Sequence, residues 1–114
     1  MNNYRIVIDP GHGGEDPGAS GNGIIEKNLT LEISRYMYDR FKELGIPVYI
    51  TRTTDETISP TERVNRILNA FGNNKNVIVV SNHINAGDRT RNMWLILGIV
   101  YNFNKLRILL NIMV

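Results

Sequence analysis

A chain of 114 residues with 42% hydrophobic and 21% charged side chains has the size and balance of one globular domain rather than of a disordered segment. Its formal charge of +2 is too small to argue for a nucleic-acid partner. The absence of cysteine excludes a disulfide, a thiolate nucleophile and a cysteine zinc site, so any bound metal must be held by His, Asp or Glu.

Met1 leads through Asn2 and Asn3 into a short apolar run without the basic and long apolar regions of a secretory leader. The expectation is synthesis in the cytoplasm without a signal peptide. Tyr4–Asp9 reads as a first strand, and the continuous apolar run Ile6, Val7, Ile8 suits a central strand covered on both faces. Pro10-Gly11 ends it, and a loop rich in Gly, Asp and Ser runs to about Gly23. Leu29, Ile33, Tyr36, Met37, Phe41 and Leu44 recur at helical spacing, with Asn28 as N-cap and Gly45 as a left-handed stop. Val48–Thr51 forms a second strand, followed by a polar loop from Arg52 to Ile58. Ser59-Pro60-Thr61-Glu62 predicts a helix start with a capping box, and Val64, Ile67, Leu68 and Phe71 form its buried stripe. Gly72 and Asn73 end this helix, and Val77–Val80 makes a third strand. The order strand, helix, strand, helix, strand predicts an α/β fold: an open, largely parallel sheet flanked by helices on both faces, in three αβα layers.

The character of the chain changes after Gly87. Asp88 is its last acidic residue, and the remainder carries only basic charges and two apolar runs, Trp94–Tyr101 and Ile108–Val114. Neither run approaches the roughly 20 residues that span a bilayer, and joining them would bury Asn102, Asn104, Lys105, Arg107 and Asn111, so no membrane span is expected. The tail could supply an edge strand to the sheet. Left uncovered, its apolar surface would instead favour self-association.

Only two histidines are present, and His12 and His83 each fall just past a predicted strand. In an open parallel α/β sheet, sites form outside the carboxyl ends of strands, so both imidazoles belong to one edge. Glu26 lies between them in sequence, where the loop from His12 returns to the sheet. Two neutral imidazoles and a carboxylate, with water in the remaining position, form the ligand set of a catalytic zinc. Each residue alone has a plainer reading, a solvated loop histidine or a helix-dipole glutamate; the shared strand-end position favours the metal. A phosphate loop is weaker, because the dinucleotide fingerprint needs glycine where Asp16 stands. Arg52 and Arg63 could bind a substrate carboxylate, but a loop-pinning ion pair with Asp9, Asp55 or Glu56 is the simpler role.

The motifs Ile8-Asp9-Pro10-Gly11-His12-Gly13-Gly14, Asp16-Pro17-Gly18-Ala19, Glu26-Lys27-Asn28, Thr51-Arg52, Glu62-Arg63 with Asn65, and Ser81-Asn82-His83-Ile84-Asn85-Ala86 occur in this order. Across Tyr4–Gly87 the sequence closely resembles the zinc-dependent N-acetylmuramoyl-L-alanine amidases of the type 3 catalytic family, found in bacterial cell-wall hydrolases, autolysins and phage endolysins. The resemblance implies His12, Glu26 and His83 as zinc ligands, and Arg52, Arg63 and Asn85 as substrate-binding or structural residues. It also implies peptidoglycan as substrate, cleaved at the amide between N-acetylmuramic acid and L-alanine through a zinc-activated water, at the cell wall after lysis or release. The family further uses a catalytic glutamate on a later strand, and no acidic residue follows Asp88. The expectation is therefore an N-terminal part of the catalytic domain over 1–87, a sheet incomplete at its C-terminal end, and a tail over 88–114 that does not match the family. The alternative is a catalytically silent fragment that binds zinc or cell wall.

Overall fold

Arg5–Pro10 (β1) occupies the middle of the parallel sheet because its apolar residues can be buried on both faces: Ile6, Val7 and Ile8 are all buried. A strand sends alternate side chains to opposite faces. Ile6 and Ile8 accordingly join Ile50 on one face, while Val7 joins Val77 and Val79 on the other. The computed structural model describes residues 3–86, 94–102 and 105–113.

β1 pairs in parallel with Val48–Ile50 (the fourth strand, β4) on one side and with Val77–Ala86 (β5) on the other. Two short strands, Ser20–Gly21 (β2) and Ile24–Ile25 (β3), form an antiparallel hairpin inside what the sequence read as loop. Asn22-Gly23 makes its turn with φ of 52° and 77°, the left-handed geometry of a two-residue hairpin connection.

Glu26–Glu43 (α1) lays Met37, Tyr38 and Phe41 on the Ile6, Ile8, Ile50 face, and Pro60–Phe71 (α2) lays Ile67, Ala70 and Phe71 on the Val7, Val77, Val79 face. The expected apolar stripes need correction. Tyr36 and Leu44 on and after α1, and Val64 and Leu68 on α2, are exposed. On α1 the fully covered positions are instead Glu26, Thr30 and Ser34, small or polar residues where the helix approaches the functional loop.

The expected N-cap Asn28 is also displaced, since the N-cap is Ile25, three residues earlier, and α1 begins at Glu26. Loop carbonyls take over the cap's work: Glu26 N donates to Ala19 O at 2.9 Å and Lys27 N to Pro17 O at 3.1 Å. At the other end Gly45 adopts φ 72°, with Gly45 N on Lys42 O and Ile46 N on Phe41 O, the paired bonds of a Schellman stop. α2 starts as expected, with Ser59 Oγ accepting from Glu62 N at 3.1 Å, but the Glu62 carboxylate pairs with Arg66 instead of closing the capping box.

β5 runs well beyond the expected Val80. Its pairing with β1 ends at Pro10 opposite Asn82, after which it continues beside Trp94–Asn102 (β6) as far as Ala86. The apolar tail thus adds to the sheet as an antiparallel hairpin of β6 and Lys105–Met113 (β7), giving the order β4-β1-β5-β6-β7. The fold is α/β, with a parallel three-stranded part under helices on both faces. No described helix is long and apolar enough to cross a membrane.

Candidate metal centre

His12 stands two residues after β1, in a loop whose backbone turns through the left-handed region at His12 itself (φ 64°), Gly13 (131°) and Gly14 (60°). Such a conformation is unfavourable for a non-glycine residue and must be held by its surroundings. Three basic side chains hold it. Arg63 from α2 donates to Pro10 O at 2.8 Å and His12 O at 2.9 Å. Arg52, following β4, donates to Gly11 O at 2.9 Å, and Lys27 of α1 donates to Gly14 O at 2.9 Å. The loop after β4 adds two acceptors, with Gly14 N on Asp55 and Glu15 N on Thr57.

The loop brings His12 to Glu26, the first residue of α1, and to His83 on β5, just past the last residue paired with β1. His12 Nε2 lies 2.9 Å and His83 Nδ1 3.3 Å from Glu26 Oε2, and the imidazole rings meet edge to face at 5.1 Å between centroids. One nitrogen from each ring and a carboxylate oxygen lie within 4.8 Å of one another, the one such group among the described residues able to hold a metal. His83 is therefore part of a strand and not of a loop beyond it. The parallel pairing ends beside it, so the rule placing sites at carboxyl ends still finds it.

Glu26 is buried and its carboxylate is fully engaged, with Oε1 accepting from Ala19 N and Oε2 from Ile84 N, both at 3.0 Å. Burial pushes its carboxyl up, but the hydrogen bond from His83, those two amides and the charge of His12 outweigh that and hold it at about 2. An anionic oxygen is thus present between the imidazoles throughout the neutral range. The chemistry of this donor set, two ring nitrogens and one ionised carboxylate partly open to solvent, fits a zinc ion with a position left for another ligand.

Gly18 is required by the same packing. A Cβ there would lie 2.7 Å from both Glu26 Oε1 and His12 Cδ2, and its φ is 67°. Gly18→Ala is expected to destabilise the chain by about 1–3 kcal/mol in a denaturant titration and to weaken zinc binding, because Glu26 or His12 must move.

Arg63 makes the loop-pinning ion pair read from the sequence, its Nη1 2.7 Å from buried Asp9. Arg52 does not: among the described residues it makes no ion pair with Asp9, Asp55 or Glu56. Buried to 2% exposure, it spends its terminal nitrogens on the carbonyls of Gly11, Lys27 and Thr54, and its Nε has no partner. An arginine wedged between three carbonyl oxygens joins the His12 loop, the start of α1 and the loop after β4 from within. The side chain of Asn85 lies outside the described residues; its backbone pairs with Leu95. Asp16, read from the sequence as a break in the phosphate-loop fingerprint and as part of the Asp16-Pro17-Gly18-Ala19 motif, bonds His12 Nδ1 at 2.8 Å. Its position four residues after a candidate ligand was the available signal.

The family described as N-acetylmuramoyl-L-alanine amidase (Amidase_3) matches residues 6–97. The chain is 41% identical over 88 residues to N-acetylmuramoyl-L-alanine amidase CwlM of Bacillus licheniformis, which covers 75% of this chain and 33% of that protein. It is 42% identical over 89 residues to the sporulation-specific N-acetylmuramoyl-L-alanine amidase of Bacillus subtilis (strain 168), with the same coverages of 75% and 33%. Among solved structures, the catalytic domain of CwlV, an N-acetylmuramoyl-L-alanine amidase from Bacillus (Paenibacillus) polymyxa var. colistinus, superposes with a TM-score of 0.66 at 28% identity, covering 79% of this chain and 50% of that one. The chain therefore spans about a third of the length of these curated relatives and about half of the solved catalytic domain. From the motifs, the fold and these matches together, the chain belongs to the N-acetylmuramoyl-L-alanine amidase family.

Proposed function

We propose that this chain carries the metal-binding part of a zinc-dependent peptidoglycan hydrolase acting at the cell wall, which cleaves the amide between N-acetylmuramic acid and the L-alanine of the stem peptide. The observation that carries the reading is the convergence of His12, Glu26 and His83 at one sheet edge in a member of this family. These three residues would hold the zinc. When bound, it supplies Lewis-acid polarisation of the scissile carbonyl and acidification of water.

The chain's own residues prepare the rest. Glu26 supplies a negative charge to offset the ion, while the amides of Ala19 and Ile84 and the Arg63 and Arg52 clamps keep the ligands from moving apart. A groove of about 500 Å³ is lined by His83, Asp9, Arg63 and Ser81 together with Val64, Ile67 and Leu68 of α2. In this reading the stem peptide would lie in this groove beside His83. Within this reading, residues 1–87 are the amidase part and 88–114 an atypical tail, of which residues 88–97 still fall within the family match.

The second reading, a silent module that binds zinc and cell wall without cleaving it, is favoured by one observation: no acidic residue follows Asp88 to act as the general base of the family. Concentrated chain incubated with purified peptidoglycan distinguishes the two. Hydrolysis at the proposed bond releases new amino termini on L-alanine and no new reducing ends. Co-sedimentation with the wall and no new amino termini would overturn the hydrolase reading in favour of the silent one.

A further inference from the structure

The two imidazoles of the candidate centre are held differently. His12 lies between two carboxylates, with Nε2 facing Glu26 and Nδ1 2.8 Å from Asp16 Oδ2. His83 presents Nδ1 to Glu26, and among the described residues no carboxylate bonds its other ring nitrogen. The pairing at His12 is built into the loop. Gly13 and Asp16 exchange backbone hydrogen bonds of 2.8 and 3.1 Å, closing a tight turn that folds the Asp16 side chain back onto the ring. Asp16 Oδ1 then accepts from Gly18 N at 3.1 Å, fixing the carboxylate while Oδ2 faces the imidazole. Gly18 in turn leaves no room for a Cβ between the His12 ring and Glu26, while the Asp16 side chain stays largely exposed on the outer side of the ring.

We propose that Asp16 is the positioning residue of the centre: it accepts the Nδ1 proton of His12, selecting the tautomer that leaves Nε2 bare toward a metal, and it stops the ring from rotating. This rests on reading His12, Glu26 and His83 as a zinc site. The physical reason is general. A neutral imidazole carries one ring proton, and the hydrogen bond made by one nitrogen decides which nitrogen is free to ligate. A carboxylate at the outer nitrogen also raises the basicity of the ligating one. His12 needs this support more than His83, because its backbone sits in a left-handed loop and His83 is anchored in a strand.

The test uses the full chain, with zinc affinity measured by competition against a chromophoric chelator for wild type, Asp16→Ala and Asp16→Asn. Both variants are expected to bind zinc roughly 10- to 100-fold more weakly. Asn fails because His12 Nδ1 and Gly18 N approach two different oxygens of the carboxylate, and the amide replaces one of these with an NH2 donor. A second measurement separates positioning from loop integrity. In the zinc-loaded wild type the Nδ1 proton of His12, hydrogen bonded to Asp16, gives a slowly exchanging downfield NMR resonance, and in zinc-saturated Asp16→Ala that resonance is lost. Affinities within about twofold of wild type, against the 10-fold minimum expected, or an unchanged resonance in Asp16→Ala, would overturn the role of Asp16 alone. A wild-type chain that binds no zinc would overturn the metal reading itself.

Discussion

Asp9→Ala is expected to lower the unfolding free energy by about 3–5 kcal/mol, the usual consequence of removing one partner of a buried ion pair. Asp9 is buried at the end of β1, where it accepts from Thr51 Oγ1 at 2.8 Å, Arg63 Nη1 at 2.7 Å and Ser81 Oγ at 2.9 Å. These donors come from the segment after β4, from α2 and from β5, so one carboxylate joins three elements around the central strand. Its removal leaves the largely covered Arg63 guanidinium without a counter-charge and two hydroxyls without their acceptor. The effect also reaches the centre, because the same guanidinium holds the carbonyls of Pro10 and His12. A weakened zinc affinity should therefore accompany the lower midpoint in urea. A loss below about 1 kcal/mol would show that the pair is screened as an exposed one would be, contrary to its burial.

The second large effect concerns turnover. We expect this 114-residue chain, loaded with zinc, to cleave purified peptidoglycan roughly 10²-fold to 10⁴-fold more slowly than full-size amidases of the family, the usual cost of losing a general base, because the catalytic glutamate that the family resemblance implies has no counterpart by motif in residues 1–114. Three acids at or beside the centre are already committed. Asp9 is locked by three donors, Glu26 is committed between the imidazoles, and Asp16 is bonded to His12. Release of L-alanine amino termini, measured beside a full-size relative, checks this. Equal rates would mean that proton transfer is handled by a group outside this account.

The centre was legible in the sequence because its parts are tied to local signals. A β-prone run broken by Pro-Gly announces a strand end, and a histidine at such an end is placed by topology before any side-chain contact is known. Glu26 was legible as a partner but not as the first residue of α1. Asn28 has the better capping side chain, yet the carbonyls of Pro17 and Ala19 cap the helix from the loop just before it. Tertiary bonds overrode propensity there. Arg52 shows the same limit: its charge suggested a carboxylate partner, whereas its position beneath the His12 loop gave it carbonyl oxygens. Thr30 and Ser34 interrupt the apolar periodicity of α1, and they are buried because Thr30 donates to Gly11 O and Ser34 accepts from Asn82. Polar residues on a buried stripe mark where a helix supports a site, a pattern that hydrophobic periodicity alone passes over. The Asn22-Gly23 hairpin was read as loop, although its turn dipeptide carried the signal.

Zinc content tests the central claim most directly. The chain, purified with zinc in the buffer and then desalted, should retain about one zinc ion, as expected for a site with two imidazoles and a carboxylate. His12→Ala and His83→Ala, prepared identically and shown by circular dichroism to be folded, should retain almost none. Equal zinc content in all three proteins would contradict the assignment of His12, Glu26 and His83 as the metal centre.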